Sequence, residues 1–100
     1  HVKGTVDHSI LFSGVYVEEG AEVRDAVVMG NTIIKKGAKV SHCIIAEGAV
    51  IEEDAVVGQM PTEENKGVAT VASKVVVGKK AKVGPNAMVR ENVKDGEEVC

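Results

Sequence analysis

Aromatic residues are almost missing from the chain: one Phe, one Tyr and no Trp in 100 residues. A core without large rings must be filled by many small contacts. Val, Ile and Ala carry most of the 44% hydrophobic content, which suits narrow, repetitive β-packing better than an irregular globule. Cysteine is scarce too. Its two copies, Cys43 and Cys100, make no disulfide framework, and a cytoplasmic location is expected. No apolar run approaches the roughly 20 residues of a spanning helix, and no basic start followed by a hydrophobic segment marks a signal peptide, so no membrane partner is expected. The net charge is −3, with Lys and Arg spread along the chain, so the electrostatic footprint of a nucleic-acid surface is absent. Neither G-x-G-x-x-G nor G-x-x-x-x-G-K-[ST] occurs, which removes the common phosphate-cradling loops. The length suits one domain over residues 1–100. Because the chain starts at His1 rather than Met, it is expected to be a piece of a longer protein.

What is present is a repeat. Large aliphatics fall at Val6, Leu11, Val17, Val23, Val28, Ile34, Val40, Ile45, Ile51 and Val57, in steps of 5, 6 and 6 residues three times over. Seventeen residues in three short segments describe a coil with three flat sides. Two positions before each aliphatic from Leu11 to Val57 stands a compact residue: Ser9, Val15, Ala21, Ala26, Thr32, Ala38, Cys43, Ala49 and Ala55. Residues two apart on a strand share a face, so both sets point inward. Three positions after an aliphatic come Gly14, Gly20, Asn31, Gly37, Gly48 or Asp54, types that accept the left-handed backbone of a sharp corner. The segment Thr62–Gly67 is polar and turn-rich and reads as an excursion near 62–70. Regularity returns at Val71, Val77, Val83 and Val89, with Ala81, Ala87 and Val93 as inward partners and Asn86 and Asn92 at corners. The expected fold class is all-β, a parallel β-helix of about five coils.

Charge supports the stacking. Glu18-Glu19, Lys35-Lys36, Glu52-Glu53 and Lys79 occupy equivalent places when Val71 lies above Ile45, and alternating sign is what neighbouring rungs prefer. In that register side one is polar outside and side three mixed. Side two presents Ile10, Phe12, Val27, Met29, Ile44 and Ala46 outward. Strands apolar on both faces belong to sheets buried on both faces, and an apolar patch of this extent marks an interface. These six residues are the candidate interface, with another domain or another subunit as partner.

Chemical sites are weaker. His42 sits beside Cys43, but as a corner residue in line with His8, Asp25 and Gln59. His8 and His42 are two rungs, about 9.5 Å, apart, too far to share a zinc whose ligands lie within about 4 Å of one another. Cys43 takes an inward position, where an apolar setting keeps a thiol neutral and inert. No catalytic, cofactor or metal residue is assigned. Lys74, Lys79, Lys80, Lys82 and Arg90 could bind an anionic effector or form a solvated face.

The six-residue grammar resembles the hexapeptide repeat of left-handed parallel β-helices, and that resemblance supplies the handedness. Residues 8–58, with "SILFSGV", "DAVVM" and "IIAEGAVI", are similar to the C-terminal domain of the bacterial glucose-1-phosphate adenylyltransferase (ADP-glucose pyrophosphorylase) family or a close glycogen-biosynthesis paralogue. Gly30 stands where that family often has Pro. The resemblance implies a parent enzyme that joins ATP and glucose 1-phosphate, with Mg²⁺, to give ADP-glucose and pyrophosphate. The chemistry would lie in an N-terminal domain outside this chain. This domain would support a tetramer and its effector site. A hexapeptide acyltransferase, or a trimer like the γ-class carbonic anhydrases with sites between subunits, is the alternative.

Overall fold

In the computed structural model, residues 2–58, 68–84 and 87–99 are described. Each coil contributes three short strands, named here in chain order. Coil 1 holds β1 (Thr5–Asp7), β2 (Ile10–Leu11) and β3 (Tyr16–Val17). Coil 2 holds β4 (Glu22–Arg24), β5 (Val27–Val28) and β6 (Ile33–Ile34), and coil 3 holds β7 (Lys39–Ser41), β8 (Cys43–Ile45) and β9 (Val50–Ile51). Coil 4 holds β10 (Val56–Val57), β11 (Ala69–Val71) and β12 (Val76–Val77). Coil 5 begins with β13 (Lys82–Val83) and β14 (Met88–Val89), and β15 (Glu98–Val99) follows. Every pairing is parallel, giving sheets β1-β4-β7-β10-β13-β15, β2-β5-β8-β11-β14 and β3-β6-β9-β12. This is an all-β solenoid of about five turns with the architecture of a left-handed β-helix.

The ladder register follows from the repeat. Val23 pairs with Val40, Val28 with Ile45 and Ile34 with Ile51. Val71 pairs with Ile45 and Val77 with Ile51, as the charge pattern requires. The inward aliphatics of coils 2 to 4 are completely buried, and the compact partners Ala38, Ala49, Ala55 and Ala69 are as inaccessible. A coil this narrow has no room for rings, which is why the core is Val, Ile and Ala. Thr32 is the one buried polar residue among those described, and its hydroxyl donates to the Ala46 carbonyl at 3.1 Å.

The corners use left-handed backbone. Gly14, Asn31 and Gly48 turn side two into side three, and Gly20, Gly37 and Asp54 turn side three into side one, all at positive φ. In the upper coils these places are taken by Lys74 (φ 61°) and Lys80 (φ 58°), residues the sequence offered only as surface cations. The shorter corner from side one to side two is also left-handed, at His8, Asp25 and His42. In coil 4 the left-handed residue comes one position early, at Gly58 (φ 72°), where an added side chain would meet the Ser41 carbonyl. Ala69 and Thr70 already belong to β11. Gln59 and the Thr62–Gly67 segment, like Asn86, lie outside the described residues.

Coil 5 departs from expectation. Asn92 is not a left-handed corner, and Val93 is not the small partner of a later aliphatic. Val93 itself pairs with Val77 as the inward aliphatic of side three. The step from Val89 to Val93 is thus shortened to four residues. Asn92 covers the shortfall: its Oδ1 accepts the Val76 N–H at 2.9 Å, where lower coils use a backbone carbonyl such as that of Val75 for Val50.

Candidate functional site

Side two is built by the strands β2, β5, β8, β11 and β14, and its outward residues form two columns. One runs Ile10, Val27, Ile44, Thr70 and Met88, each paired with the next in the ladder. The second runs Phe12, Met29, Ala46, Ala72 and Arg90, fixed by ladder bonds from the Phe12, Met29, Ala46 and Ala72 amides to the Val28, Ile45, Val71 and Val89 carbonyls. Ile10 is 60% exposed, Phe12 52%, Ile44 38% and Met29 37%, while Val27 and Ala46 are half-buried. The structure therefore brings all six predicted residues onto one face. It adds Thr70, Ala72 and Met88, three that the sequence reading missed. Met88, 62% exposed, continues the first column beyond Thr70, and Ala72 continues the second. The signal was available, because Met88 precedes the inward Val89 as Ile44 precedes Ile45.

The face is graded in size. Bulky Ile10, Phe12 and Met29 stand out from coils 1 and 2, and small Ala46, Thr70 and Ala72 line coils 3 and 4. Rungs about 4.8 Å apart give the five-coil face a height of roughly 19 Å. Its edge toward side one carries His8, Asp25 and His42. Its edge toward side three carries Glu47.

The other two sides carry ion pairs. On side three Lys35 Nζ meets Glu52 Oε1 at 2.9 Å, and Glu18 Oε1 accepts the Lys36 N–H at 3.2 Å. The Glu52 carboxylate, through its hydrogen bond and its charge, pushes the Lys35 ammonium pKa above its usual value. On side one Arg24 pairs with Glu22 at 2.9 Å. The five cations raised as an effector site take different places on the coil: Lys74 turns the corner from side two to side three, Lys79 and Lys80 stand at the corner from side three to side one, Lys82 faces out from side one and Arg90 from side two.

His42 and Cys43 take the roles their register implies. His8 Nδ1 lies 3.0 Å from Asp7 Oδ1, within its own coil. Among the described residues no three His, Cys, Asp or Glu side chains group to hold a metal ion. Cys43 is buried, and loss of solvent pushes its thiol up to about 12, against a smaller opposing pull from a hydrogen bond with the Ser41 backbone. No helix among the described residues is long and apolar enough to cross a membrane.

Repeat, three-sided coil and corner pattern define a hexapeptide-repeat domain, and the chain belongs to the GlmU-like C-terminal hexapeptide family, which matches residues 2–78. Within it, the chain is 49% identical over 90 residues to the glucose-1-phosphate adenylyltransferase of Clostridium perfringens (strain 13 / Type A), and 32% identical over 96 residues to that of Acetivibrio thermocellus. The matches take in 89% and 88% of this chain, but it spans only 22% of each relative's length, at the C-terminal end. Among solved structures, the acetyltransferase domain of PglB from Neisseria gonorrhoeae FA1090 aligns over 96% of this chain and 50% of its own, at 22% identity and a TM-score of 0.42.

Proposed function

We propose that this chain is the C-terminal oligomerisation and regulatory domain of a glucose-1-phosphate adenylyltransferase, catalytically silent alone. The parent enzyme would be cytosolic and make ADP-glucose and pyrophosphate from ATP and glucose 1-phosphate for glycogen synthesis. The observation that carries this reading is the 49% identity to such an enzyme, confined to its C-terminal part. ATP and Mg²⁺ would be bound by the catalytic domain. The role of this domain is contact. Side two, through Ile10, Phe12, Val27, Met29, Ile44 and Ala46, would hold it to its own catalytic domain or to other subunits of a tetramer, and an anionic effector would act through that assembly.

The test is Ile44→Asp in the full-length enzyme. Because Ile44 points outward, far-UV circular dichroism should show the coil intact while sedimentation shows the assembly weakened. A parallel assay for pyrophosphate release from ATP and glucose 1-phosphate should find the full-length chain active and residues 1–100 inactive. Unchanged association in Ile44→Asp would refute the interface, and absence of adenylyl transfer in the full-length chain would refute the enzyme.

A further inference from the structure

We propose that residues 91–96 form a strap that closes the upper edge of side three, and that it opens as one unit while the coils beneath it stay folded. The lower rungs of side three are each covered by a strand of the next coil, β3 by β6, β6 by β9 and β9 by β12. The β12 rung is covered differently. Two of its donors go to side chains: the Val76 N–H to Asn92 Oδ1 and the Lys79 N–H, just past the strand, to Asp95 Oδ1, both at 2.9 Å. Three backbone bonds at 2.8 Å complete the closure, from the Val93 N–H to the Val76 carbonyl, from the Gly78 N–H to the Val93 carbonyl and from the Gly96 N–H to the Lys79 carbonyl. A tight turn secures the far end, where the Lys94 N–H donates to Glu97 Oε1 at 2.9 Å and the Glu97 N–H to the Lys94 carbonyl at 3.0 Å.

Gly78 makes the room. It follows Val77 as Glu18 follows Val17, Lys35 follows Ile34 and Glu52 follows Ile51, so it holds a place that the lower coils give to an outward charged side chain. Gly78 is buried, and a Cβ there would lie 2.5 Å from the Asp95 nitrogen and 2.6 Å from both Asp95 Oδ1 and the Lys94 carbonyl carbon. A side chain at this position and the strap cannot share the space. Gly78 is not one of the left-handed corners, so what the glycine supplies is clearance and not backbone freedom. The strap buries little of itself: Val93 is 5% exposed, while Glu91, Asn92, Lys94, Asp95 and Gly96 are all exposed. Few buried apolar contacts and hydrogen bonds near solvent are the marks of a segment that opens well before the whole structure unfolds. Closed, the strap occupies the donors of the β12 rung. Open, it uncovers the Val76, Gly78 and Lys79 amides as a free strand edge of the kind that folded proteins keep covered.

Native-state hydrogen exchange of this chain, read amide by amide, tests it. The Val76, Gly78, Lys79, Val93 and Gly96 amides should share one protection factor, about tenfold or more below that of the Val50 and Glu52 amides, which bond to the Val75 and Val77 carbonyls one rung lower. Asn92→Ala and Asp95→Ala each remove one side-chain acceptor. Either should lower the protection of all five strap amides together by about tenfold and leave Val50 and Glu52 unchanged. Asp95→Asn keeps an Oδ1 acceptor and should retain the wild-type protection. Gly78→Ala fills the clearance and should strip protection from Val93 and Gly96 with Val50 and Glu52 still protected, a separation that general misfolding would not produce. Strap amides as protected as Val50 in the wild type, an Asn92→Ala that leaves the Val76 amide unchanged, an Asp95→Asn as weakened as Asp95→Ala, or a Gly78→Ala that lowers all seven amides alike would each overturn the strap.

Discussion

Raising the pH should destabilise this chain through one thiol. Cys43 is 2% exposed in the core column that Ala26 and Ala69 occupy in neighbouring coils, and burial lifts its pKa from 9.0 to about 12. The folded chain keeps the proton where the unfolded chain loses it, so the stabilisation is complete below pH 9 and drains away as pH climbs toward 12. Between those values the loss is about 1.4 kcal/mol per pH unit. At pH 10.5 the chain should be about 2 kcal/mol less stable than at pH 7 on this account. The assay is urea unfolding at pH 7, 9 and 10.5 for Cys100→Ser and for Cys43→Ala in the same background. Alanine already stands at this place in adjacent coils, so the variant should fold and lose the pH slope. The comparison stops at pH 10.5 because Lys35, held charged by Glu52, adds its own loss of the same sign only above its ordinary pKa of 10.5. Equal slopes between pH 9 and 10.5 in both chains would refute the account, as would rapid thiol labelling of native Cys43 at pH 8.

Gly58→Ala should cost well over the 1–2 kcal/mol of a left-handed alanine, because the new methyl meets the Ser41 carbonyl, whereas Gly96→Ala, with nothing within 4 Å, should cost only the conformational part; paired denaturation curves will separate them. Ile45→Ala removes a fully buried side chain and should destabilise by about 2–5 kcal/mol. The same change at Ile44 should cost under about 1 kcal/mol of folding stability and act on association instead.

How much of this was legible before the coordinates depended on whether the repeat reached the residue. Ile44 and Ile45 are chemically identical, yet one faces out and the other in, and period alone assigned them, because a slip of one would have turned every valine outward. Lys74 and Lys80 show where local preference fails. Neither is a residue that favours positive φ, so their corners could be found only by counting coils, and a lysine at a corner looks like any solvated lysine. Asn92 and Val93 failed for the opposite reason: extending the count through coil 5 hid a shortening of two residues that the asparagine side chain repairs. The outward face was read as far as Ala46 and not carried past the polar Thr62–Gly67 segment, although the register continued to Met88.

The separation of inward from outward residues explains how the surface of this coil can vary while its core stays fixed. Inside, the solenoid accepts only Val, Ile, Ala and a few isosteres such as Cys43 and Thr32, so the core column can change little without a cavity or a clash. Outside, each rung offers positions whose side chains touch only the rung above and below, and their cost to folding is small. A face can therefore be tuned rung by rung, charged on side three and apolar on side two, with no adjustment to the core beneath it. Contact specificity in such a fold becomes a linear string of sizes and charges, and a partner recognises it by supplying the complementary string in register.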